Sequence, residues 1–235
     1  MSTFGELLRA MPLPEEFPPA AEKVVIPIRD EASDGAIARA VSVRDEQIHG
    51  LIQQLFFREE PGLVRNVGFA PIETSPQTAP MCIDLAKALA SGGRYDVGLI
   101  DASGDATPLQ QLLQVEAPDS TKDIWPVVSN LWLVPWQSWA RGAGLHTITD
   151  HDLERLRDFM TGFDFSILYC APVSWLTARI AQSCDGIVLI LTANKTRRLV
   201  AAQIKEHLAK AQIPLLGTVL AERRLPVPQG LYRRL

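Results

Sequence analysis

The amino-acid sequence predicts an α/β fold in which helices cover both faces of a doubly wound, mostly parallel sheet. Six short apolar segments, each suited to one strand, alternate along the chain with segments of helical periodicity. Strands that are apolar along most of their length are typical of a parallel sheet that is buried on both faces. With 235 residues, 47% of them hydrophobic, the chain can bury a core of this kind.

The individual strands and helices follow from these patterns. Strands are predicted at 64–70, 97–100, 131–134, 165–169, 186–192 and 215–220. Helices are predicted at 45–57, 78–91, 108–114, 151–161, 174–183 and 197–211. In the first helix the apolar residues recur at amphipathic spacing: Ile48, Leu51, Ile52, Leu55 and Phe56. Ligands of such sheets bind beyond the carboxyl ends of the strands, so a site is sought in the loops there.

One α/β domain is predicted at 45–222, between an N-terminal arm or linker at 1–44 and a C-terminal tail at 223–235. The start of the arm is rich in Pro, Glu and Ala, a composition that builds no core of its own. Charge is distributed unevenly, because residues 1–60 carry a net −5 and residues 192–235 a net +7. The basic end predicts either contact with an acidic partner, anionic lipid or nucleic acid, or a solvated helix face with a frayed end.

The sequence excludes several classes of protein. No apolar run approaches 18 residues, and the chain does not open with a basic region followed by an apolar stretch. Neither a spanning helix nor a secretory signal is therefore predicted. Cys82, Cys170 and Cys184 lack the spacing of metal ligands, and we interpret them as reduced thiols of a cytoplasmic protein.

A metal site is not predicted either. His146 and His151 have acidic neighbours, but they miss the i, i+4 spacing that would place both on one helix face. Helix capping around residues 149–152 explains this segment more simply.

The loop between the first predicted strand and the helix at 78–91 lies where a nucleotide-binding protein would carry its phosphate loop. Such a loop needs glycines whose N–H groups turn toward the phosphates, a Lys, and a Ser or Thr hydroxyl for Mg²⁺. Between Gly68 and Lys87 there is neither a further glycine nor a lysine, and Pro71, Pro76 and Pro80 remove backbone donors. We predict a structural loop; the alternative is a site for a different small ligand, formed by Glu73, Thr74, Ser75 and Thr78.

Other segments of the chain carry a resemblance to a known family. They are Asp-Leu-Ala-Lys-Ala-Leu-Ala at 84–90 and the segments at 99–107, 130–135, 185–192 and 216–220. In order and sequence these segments resemble the cytoplasmic tyrosine kinases of bacterial capsule and exopolysaccharide assembly. That family belongs to the P-loop ATPases that include the MinD and ParA types. The resemblance implies the same α/β fold and a nucleotide site at the carboxyl ends of the strands.

The resemblance implies which residues occupy the family's phosphate-loop positions. Thr78 stands in place of the phosphate-binding Lys, and Ala79 in place of the Mg²⁺-binding hydroxyl residue. Ser75 and Gln77 replace loop glycines, and Glu73 lies near the start of the same loop. The loop is thus a degenerate version of the family motif.

The two acidic motifs of the family are each incomplete. In the motif at 99–107 the first aspartate is kept as Asp101, whereas Ser103 replaces the second. In the motif at 167–172 the metal-associated aspartate is replaced by Tyr169. Asp101 is therefore the one acidic-motif residue that the resemblance retains. From the residues alone, it is more simply a strand-closing carboxylate that accepts hydrogen bonds from loop N–H groups.

The resemblance also suggests partner-binding residues. The family assembles rings through a helix of the form Glu-x-x-Arg-x-x-Arg; here Glu46 is kept, but His49 and Ile52 replace the arginines, which favours a hetero-partner over a homo-oligomer. Trp136 and Trp139 follow a predicted strand and either fill the nucleotide's space or form an exposed partner surface. The C-terminal end is either a basic docking tail or a disordered end, with the candidates Arg223, Arg224, Tyr232, Arg233 and Arg234.

Together these losses imply a catalytically inactive tyrosine-kinase-like or ATPase-like accessory protein of exopolysaccharide biosynthesis. The expected partner is a membrane co-polymerase of polysaccharide assembly or an active kinase paralogue. No cofactor and no nucleic acid are expected, and the location is cytoplasmic, either free or peripheral at the inner face of the plasma membrane. One alternative is an active Mg²⁺-ATP-dependent tyrosine autokinase with a rebuilt site. The other is a MinD/ParA-like positioning protein that contacts membrane or DNA through its basic end.

Overall fold

A computed structural model describes residues 34–58, 63–104, 108–115, 123–140 and 148–222, with the backbone alone at 34–43 and at 108. These residues form one seven-stranded sheet with helices on both faces, which confirms the predicted fold class. The tail at 223–235 lies outside the described residues, as does the arm up to residue 33.

The structure gives the bounds of every element in the described ranges. The strands are β1 (Asn66–Pro71), β2 (Val97–Ala102), β3 (Trp125–Val128), β4 (Leu131–Val134), β5 (Phe165–Cys170), β6 (Gly186–Thr192) and β7 (Leu215–Ala221). The helices are α1 (Asp34–Phe56), α2 (Thr78–Ala90), α3 (Pro108–Leu113), α4 (Trp136–Trp139), α5 (Asp150–Thr161), α6 (Trp175–Ala181) and α7 (Arg198–Lys210). None of the described helices is long and apolar enough to cross a membrane.

The strands are ordered β3-β4-β2-β5-β1-β6-β7 across the sheet. All neighbouring pairs are parallel except β3 and β4, which form an antiparallel hairpin at one edge. The carboxyl ends of the six parallel strands therefore lie along one edge of the sheet, which we call the carboxyl edge; the opposite edge is the amino edge. The central strands at the carboxyl edge are β2, β5 and β1, which end in the three motif loops singled out from the sequence.

Two core layers hold the helices against the sheet. On one face, α1 and α2 pack against β1, β2 and β5 through residues such as Leu51, Leu85 and Phe69. On the other face, α4, α5, α6 and α7 pack through residues such as Leu156 and Ile180. Because both layers are mainly apolar, the strands need apolar residues on both sides, which is why their sequences are near-continuous apolar runs.

Three elements differ from the sequence prediction: the start of α1, the strand β3 and the short helix α4 (Trp136–Trp139), which was not predicted. Helix α1 begins at Asp34, so residues 34–44, which were assigned to the arm, are helical. The prediction counted only bulky apolar residues, whereas the alanines of this stretch favour a helix without them. The edge strand β3 was not predicted because it is short and contains Pro126, and its residues alternate between partly buried and exposed. A proline is tolerated in a strand only at the edge of a sheet.

Candidate functional site

The sheet brings the three motif loops together at the centre of the carboxyl edge. Tyr169 on β5 lies between Asp101 on β2 and Phe69 on β1 in one row of the sheet. Side chains in one row of adjacent parallel strands point to the same face, here the face covered by α2. Asp101 and Tyr169 are therefore neighbours, close to the point where the loop after β1 begins. They are the two residues that the resemblance assigns to the acidic motifs.

The loop after β1 is closed by bonds to its own serine. The Gln77 N–H donates to Ser75 Oγ, and the Thr78 N–H donates to the Ser75 carbonyl oxygen, both at 3.4 Å. Just before them, the Ile72 N–H donates to the Ile190 carbonyl at 3.0 Å, which pins the loop to β6. In a phosphate loop such N–H groups point at the ligand. Here three of them donate to protein oxygens.

The first turn of α2 carries no cationic side chain. Thr78 is fully buried, and its Oγ1 has no hydrogen-bond partner among the described residues. Ala79 beside it is also buried and offers no oxygen. Lys87 lies in the last turn of α2, about 13 Å along the helix from Thr78 at 1.5 Å per residue. This turn therefore supplies neither a charge for a phosphate nor an exposed hydroxyl for a cation.

Asp101 closes β2 as a local turn residue. Its Oδ1 accepts hydrogen bonds from the Ser103 N–H at 3.0 Å and from the Ser103 Oγ at 2.7 Å. Both side chains are buried. This is the strand-closing role inferred from the residue alone: a carboxylate that accepts the N–H two positions later.

Both tryptophans after β4 are buried against this turn. Trp136 is 7% exposed and Trp139 is 0% exposed, and their rings meet edge to face with centroids 4.5 Å apart. The Trp139 Nε1–H donates to the carbonyl oxygen of Asp101 at 2.9 Å. The alternative of an exposed tryptophan surface is therefore wrong, because the short helix α4 turns both rings into the core. Helix α5 holds α4 in place, since Arg155 Nη2 donates to the Ser138 carbonyl at 2.7 Å.

The two cysteines near this site are unreactive core thiols. Cys82 and Cys170 are free and buried, whereas Cys184, also free, is partly buried and lies just before β6 at the amino edge. Burial, with a smaller contribution from the Asp101 carboxylate, raises the pKa of the Cys170 thiol from 9.0 to about 12. A thiol with this pKa is protonated at neutral pH and is not a nucleophile.

The histidine and aspartate segment forms a helix cap. Thr149 and Asp152 bond reciprocally as a capping box at the start of α5, which confirms the capping interpretation. His151 is exposed, 3.7 Å from Glu154, whereas His146 lies outside the described residues. Within the described ranges, no group of three His, Cys, Asp or Glu side chains is placed to hold a metal ion.

The predicted partner-binding residues of α1 lie on the surface. Glu46 and His49 are both exposed, and His49 Nδ1 lies 2.8 Å from the Asp45 carbonyl oxygen one turn earlier. An ion pair between Arg44 and Asp84 fixes this part of α1 against α2. The five candidates of the tail lie outside the described residues, so they stay predictions.

The sequence did not reveal the two contacts that close this site. One is the bond from Trp139 to the Asp101 backbone, and the other is the pair of bonds that Ser75 accepts. The sequence contained one indication of the tryptophan contact: Trp136 and Trp139 lie three positions apart, directly after Pro135. A single helical turn at a strand end places both side chains on one face, over the neighbouring strand.

Comparison with known proteins identifies the fold. Neither a protein-family model nor a curated protein matches the sequence. Among solved structures, the kinase domain of the Escherichia coli tyrosine kinase Etk matches with a TM-score of 0.61 and 14% identity, covering 79% of each chain. The kinase domain of VpsO matches with a TM-score of 0.60 and 15% identity, covering 78% of this chain and 98% of that one.

A nucleotide-dependent protein of another kind matches as well. The ParA family ATPase of Chlorobium tepidum has a TM-score of 0.53 and 12% identity, with 68% of this chain and 74% of that chain covered. Identities this low show a shared backbone and nothing about chemistry. The chain has the P-loop NTPase fold of bacterial tyrosine kinase domains and ParA-family ATPases.

Proposed function

We propose that this chain is a tyrosine-kinase-like accessory protein of exopolysaccharide biosynthesis that has lost nucleotide chemistry and acts by binding a partner. The observation that carries the proposal is the closed loop after β1, in which Ser75 accepts the N–H groups of Gln77 and Thr78. A phosphate at this loop would need those donors, and it would also need a cation that the loop does not contain.

The electrostatics of the site support the same conclusion. Phosphoryl transfer depends on positive charge and Mg²⁺ ligands that stabilise the developing negative charge. Tyr169 offers no carboxylate beside Asp101, and the Asp101 carboxylate accepts two bonds from Ser103. The Trp139 ring is packed against the same strand end. These features favour a protein that uses the fold to bind a partner and not to transfer phosphate.

The pathway and the partner are inferred from the resemblance. Two of the similar structures are kinase domains by name, those of Etk and VpsO. The sequence motifs resemble the tyrosine kinases of capsule and exopolysaccharide assembly, which makes a membrane co-polymerase or an active kinase paralogue the partner. We assign the contact to the exposed face of α1 around Glu46 and His49, where the family's arginines are replaced.

Co-purification tests this assignment. The full chain is mixed with the cytoplasmic part of the co-polymerase, or with the active kinase, of the source organism, in the absence of nucleotide. We expect a complex, and we expect Glu46→Ala/His49→Ala to weaken it about tenfold, the loss of a modest hot spot. The matched control is His151→Ala/Glu154→Ala, which removes the same two residue types, also exposed and three positions apart, from α5.

Three results would contradict the proposal. If the control variant weakens the complex as much as the α1 variant, the contact does not lie on α1. If purified protein labels Tyr232 with phosphate from Mg²⁺-ATP, the autokinase alternative holds. If the chain binds neither partner but binds duplex DNA in a salt-dependent manner, the positioning alternative holds.

A further inference from the structure

One surface of the described residues combines exposed apolar and basic side chains at the carboxyl edge. Helix α6 connects β5 to β6 and helix α7 connects β6 to β7; both cover the same face and begin at this edge. Trp175, the first residue of α6, is 39% exposed, and Leu199, in the first turn of α7, is 70% exposed. We call this surface the carboxyl-edge patch, and it consists of Trp175, Lys195, Arg197, Arg198 and Leu199.

Neither the leucine nor the arginines of the patch are explained by the packing of α7. The helix turns Ile204 and Leu208 toward the core, and Leu199 lies off that stripe. Arg197 and Arg198 begin the helix, and its first turn contains no acidic residue. Cations at a helix start are unfavourable, because the N-terminal end of the helix is itself positive. Residues that lower the stability of the fold and make no compensating contact within it are typical of binding surfaces.

The charge of the patch remains positive when the nearby carboxylates are counted. Lys195, Arg197 and Arg198 supply three positive charges, against Glu222 and against Glu73 in the loop after β1, which ends between β5 and β6. Lys195 Nζ lies 3.8 Å from the carboxylate of Glu222, the one acidic group that forms an ion pair with the patch within the described part of the chain. Glu222 is also the last described residue, so the chain leaves the described part of the fold at this edge. The sequence that follows it, 223–235, contains four arginines and no acidic residue.

We propose that the carboxyl-edge patch binds the surface of an anionic lipid bilayer. Arginine and lysine side chains are attracted to anionic headgroups, while leucine and tryptophan side chains enter the boundary between headgroups and acyl chains. Leu199 protrudes from the first turn of its helix. A protruding leucine suits insertion into lipid, whereas an acidic peptide would require a recess for its own side chains. Binding here orients the carboxyl edge toward the membrane and leaves the amino edge in solution.

Sedimentation with lipid vesicles tests the proposal, with purified full-length protein and no nucleotide or protein partner. Vesicles of phosphatidylcholine alone are compared with vesicles that also contain phosphatidylglycerol, at low and high salt. We expect binding only to the anionic vesicles and less of it at high salt. Arg197→Ser/Arg198→Ser should lower the partition coefficient about 25-fold, because each basic residue near the surface is worth about fivefold. Leu199→Ser should lower it about tenfold.

The matched control removes two cations from the amino edge. Lys87→Ser/Lys210→Ser takes one exposed lysine from the last turn of α2 and one from the last turn of α7. We expect this control to bind vesicles within twofold of the unchanged protein. A thermal melt of each variant checks that these surface substitutions leave the fold intact.

Three outcomes would overturn the proposal. One is equal binding to neutral and anionic vesicles, or none to either. Another is a control variant that loses as much binding as the arginine variant, which would make the effect one of net charge. The third is binding of poly-glutamate but not vesicles, which would assign the patch to an acidic polypeptide. Because neither nucleotide nor a protein partner is present, these outcomes are independent of whether the chain binds nucleotide or the partner proposed above.

Discussion

The two edges of the sheet use carboxylates in the same way, although parallel α/β sheets bind their ligands at the carboxyl edge and not at the amino edge. At the amino edge, Asp185 Oδ2 accepts the N–H groups of Arg65 and Asn66, each at 2.8 Å, where β1 begins. At the same edge, Asp164 Oδ2 accepts the Asp96 N–H at 2.9 Å. These carboxylates satisfy backbone donors at strand entrances, which is a structural role.

At the carboxyl edge, Asp101 has the same role at a strand exit. Its carboxylate accepts the Ser103 N–H, and its carbonyl accepts the Trp139 indole N–H. A carboxylate that serves a metal or nucleotide site instead directs its oxygens toward the ligand. The carboxyl edge is therefore built as the amino edge is, with side chains that bond to the backbone. Three sets of substitutions and one pH dependence test this similarity.

The largest effect is expected for Trp139→Ala at the carboxyl edge. The substitution empties a fully buried site and leaves the Asp101 carbonyl without the indole donor. We expect a loss of about 3–5 kcal/mol in the free energy of unfolding. Urea denaturation followed by circular dichroism measures it. A loss below about 1 kcal/mol would mean that the ring does not hold this edge together.

Glycine substitutions compare a strand entrance at the amino edge with the middle of a strand. At Gly186, the start of β6, an added Cβ would lie 2.8 Å from the Pro214 carbonyl oxygen and 2.6 Å from Leu216 Cγ. At Gly68, within β1, the nearest atom would be Cys170 Sγ at an ordinary 3.5 Å. We expect Gly186→Ala to cost about 1–3 kcal/mol. Gly68→Ala should stay within about 0.5 kcal/mol.

The same denaturation experiment measures both glycine variants. A loss at Gly186 as small as the one expected at Gly68 would show that the backbone at the start of β6 shifts to accommodate the added Cβ.

Alkaline pH should destabilise the fold through the thiol at the end of β5. Burial raises the pKa of Cys170 from 9.0 to about 12, so below pH 9 the folded and unfolded states are both protonated. Between pH 9 and 12 the unfolded state loses its proton while the folded state keeps it. The free energy of unfolding then falls by about 1.4 kcal/mol per pH unit for this thiol.

Chemical denaturation at a series of pH values from 8 to about 10.5 checks this dependence. Cys170→Ala should show a shallower decline than the unchanged protein. An identical decline in both proteins would mean that Cys170 is ionised or accessible in the folded state.

The smallest effect is expected for Asp185→Ala at the amino edge. The carboxylate accepts two backbone N–H groups, but the residue is exposed, so water can replace the lost bonds. We expect a cost of about 1 kcal/mol, near the value of a single net hydrogen bond. Thermal melts of this variant and of Asp185→Asn measure it. A cost as large as that of Trp139→Ala would contradict the expected order, in which the buried ring at the carboxyl edge stabilises the fold more than the exposed carboxylate at the amino edge.

The sequence predicted the sheet well because its strands are buried on both faces. The strand predictions for β4 and β6 match the structure at both ends, and the others lie within two residues. These strands are apolar along most of their length, so their boundaries lie close to changes in composition. The capping box at Thr149 was equally readable, because a Thr followed three positions later by an Asp identifies a helix start.

The sequence could not predict contacts that depend on the third dimension. The bond from Trp139 to Asp101 joins residues 38 positions apart, and it decides that the tryptophan is buried and not part of an exposed surface. Likewise, nothing local indicated that Ser75 accepts two N–H groups of its loop, since the same serine could have faced a ligand. The residue types at the site were readable, but the direction of their polar atoms was not.

The most direct test of the account is a calorimetric titration of the purified full chain with Mg²⁺-ATP, with the Etk kinase domain as positive control. The closed loop at Ser75 and the buried Trp139 predict no binding heat and no thermal stabilisation at millimolar nucleotide. Micromolar binding would contradict the account. If Asp101→Ala then abolished that binding, the nucleotide would lie at the carboxyl ends of β1, β2 and β5 after all.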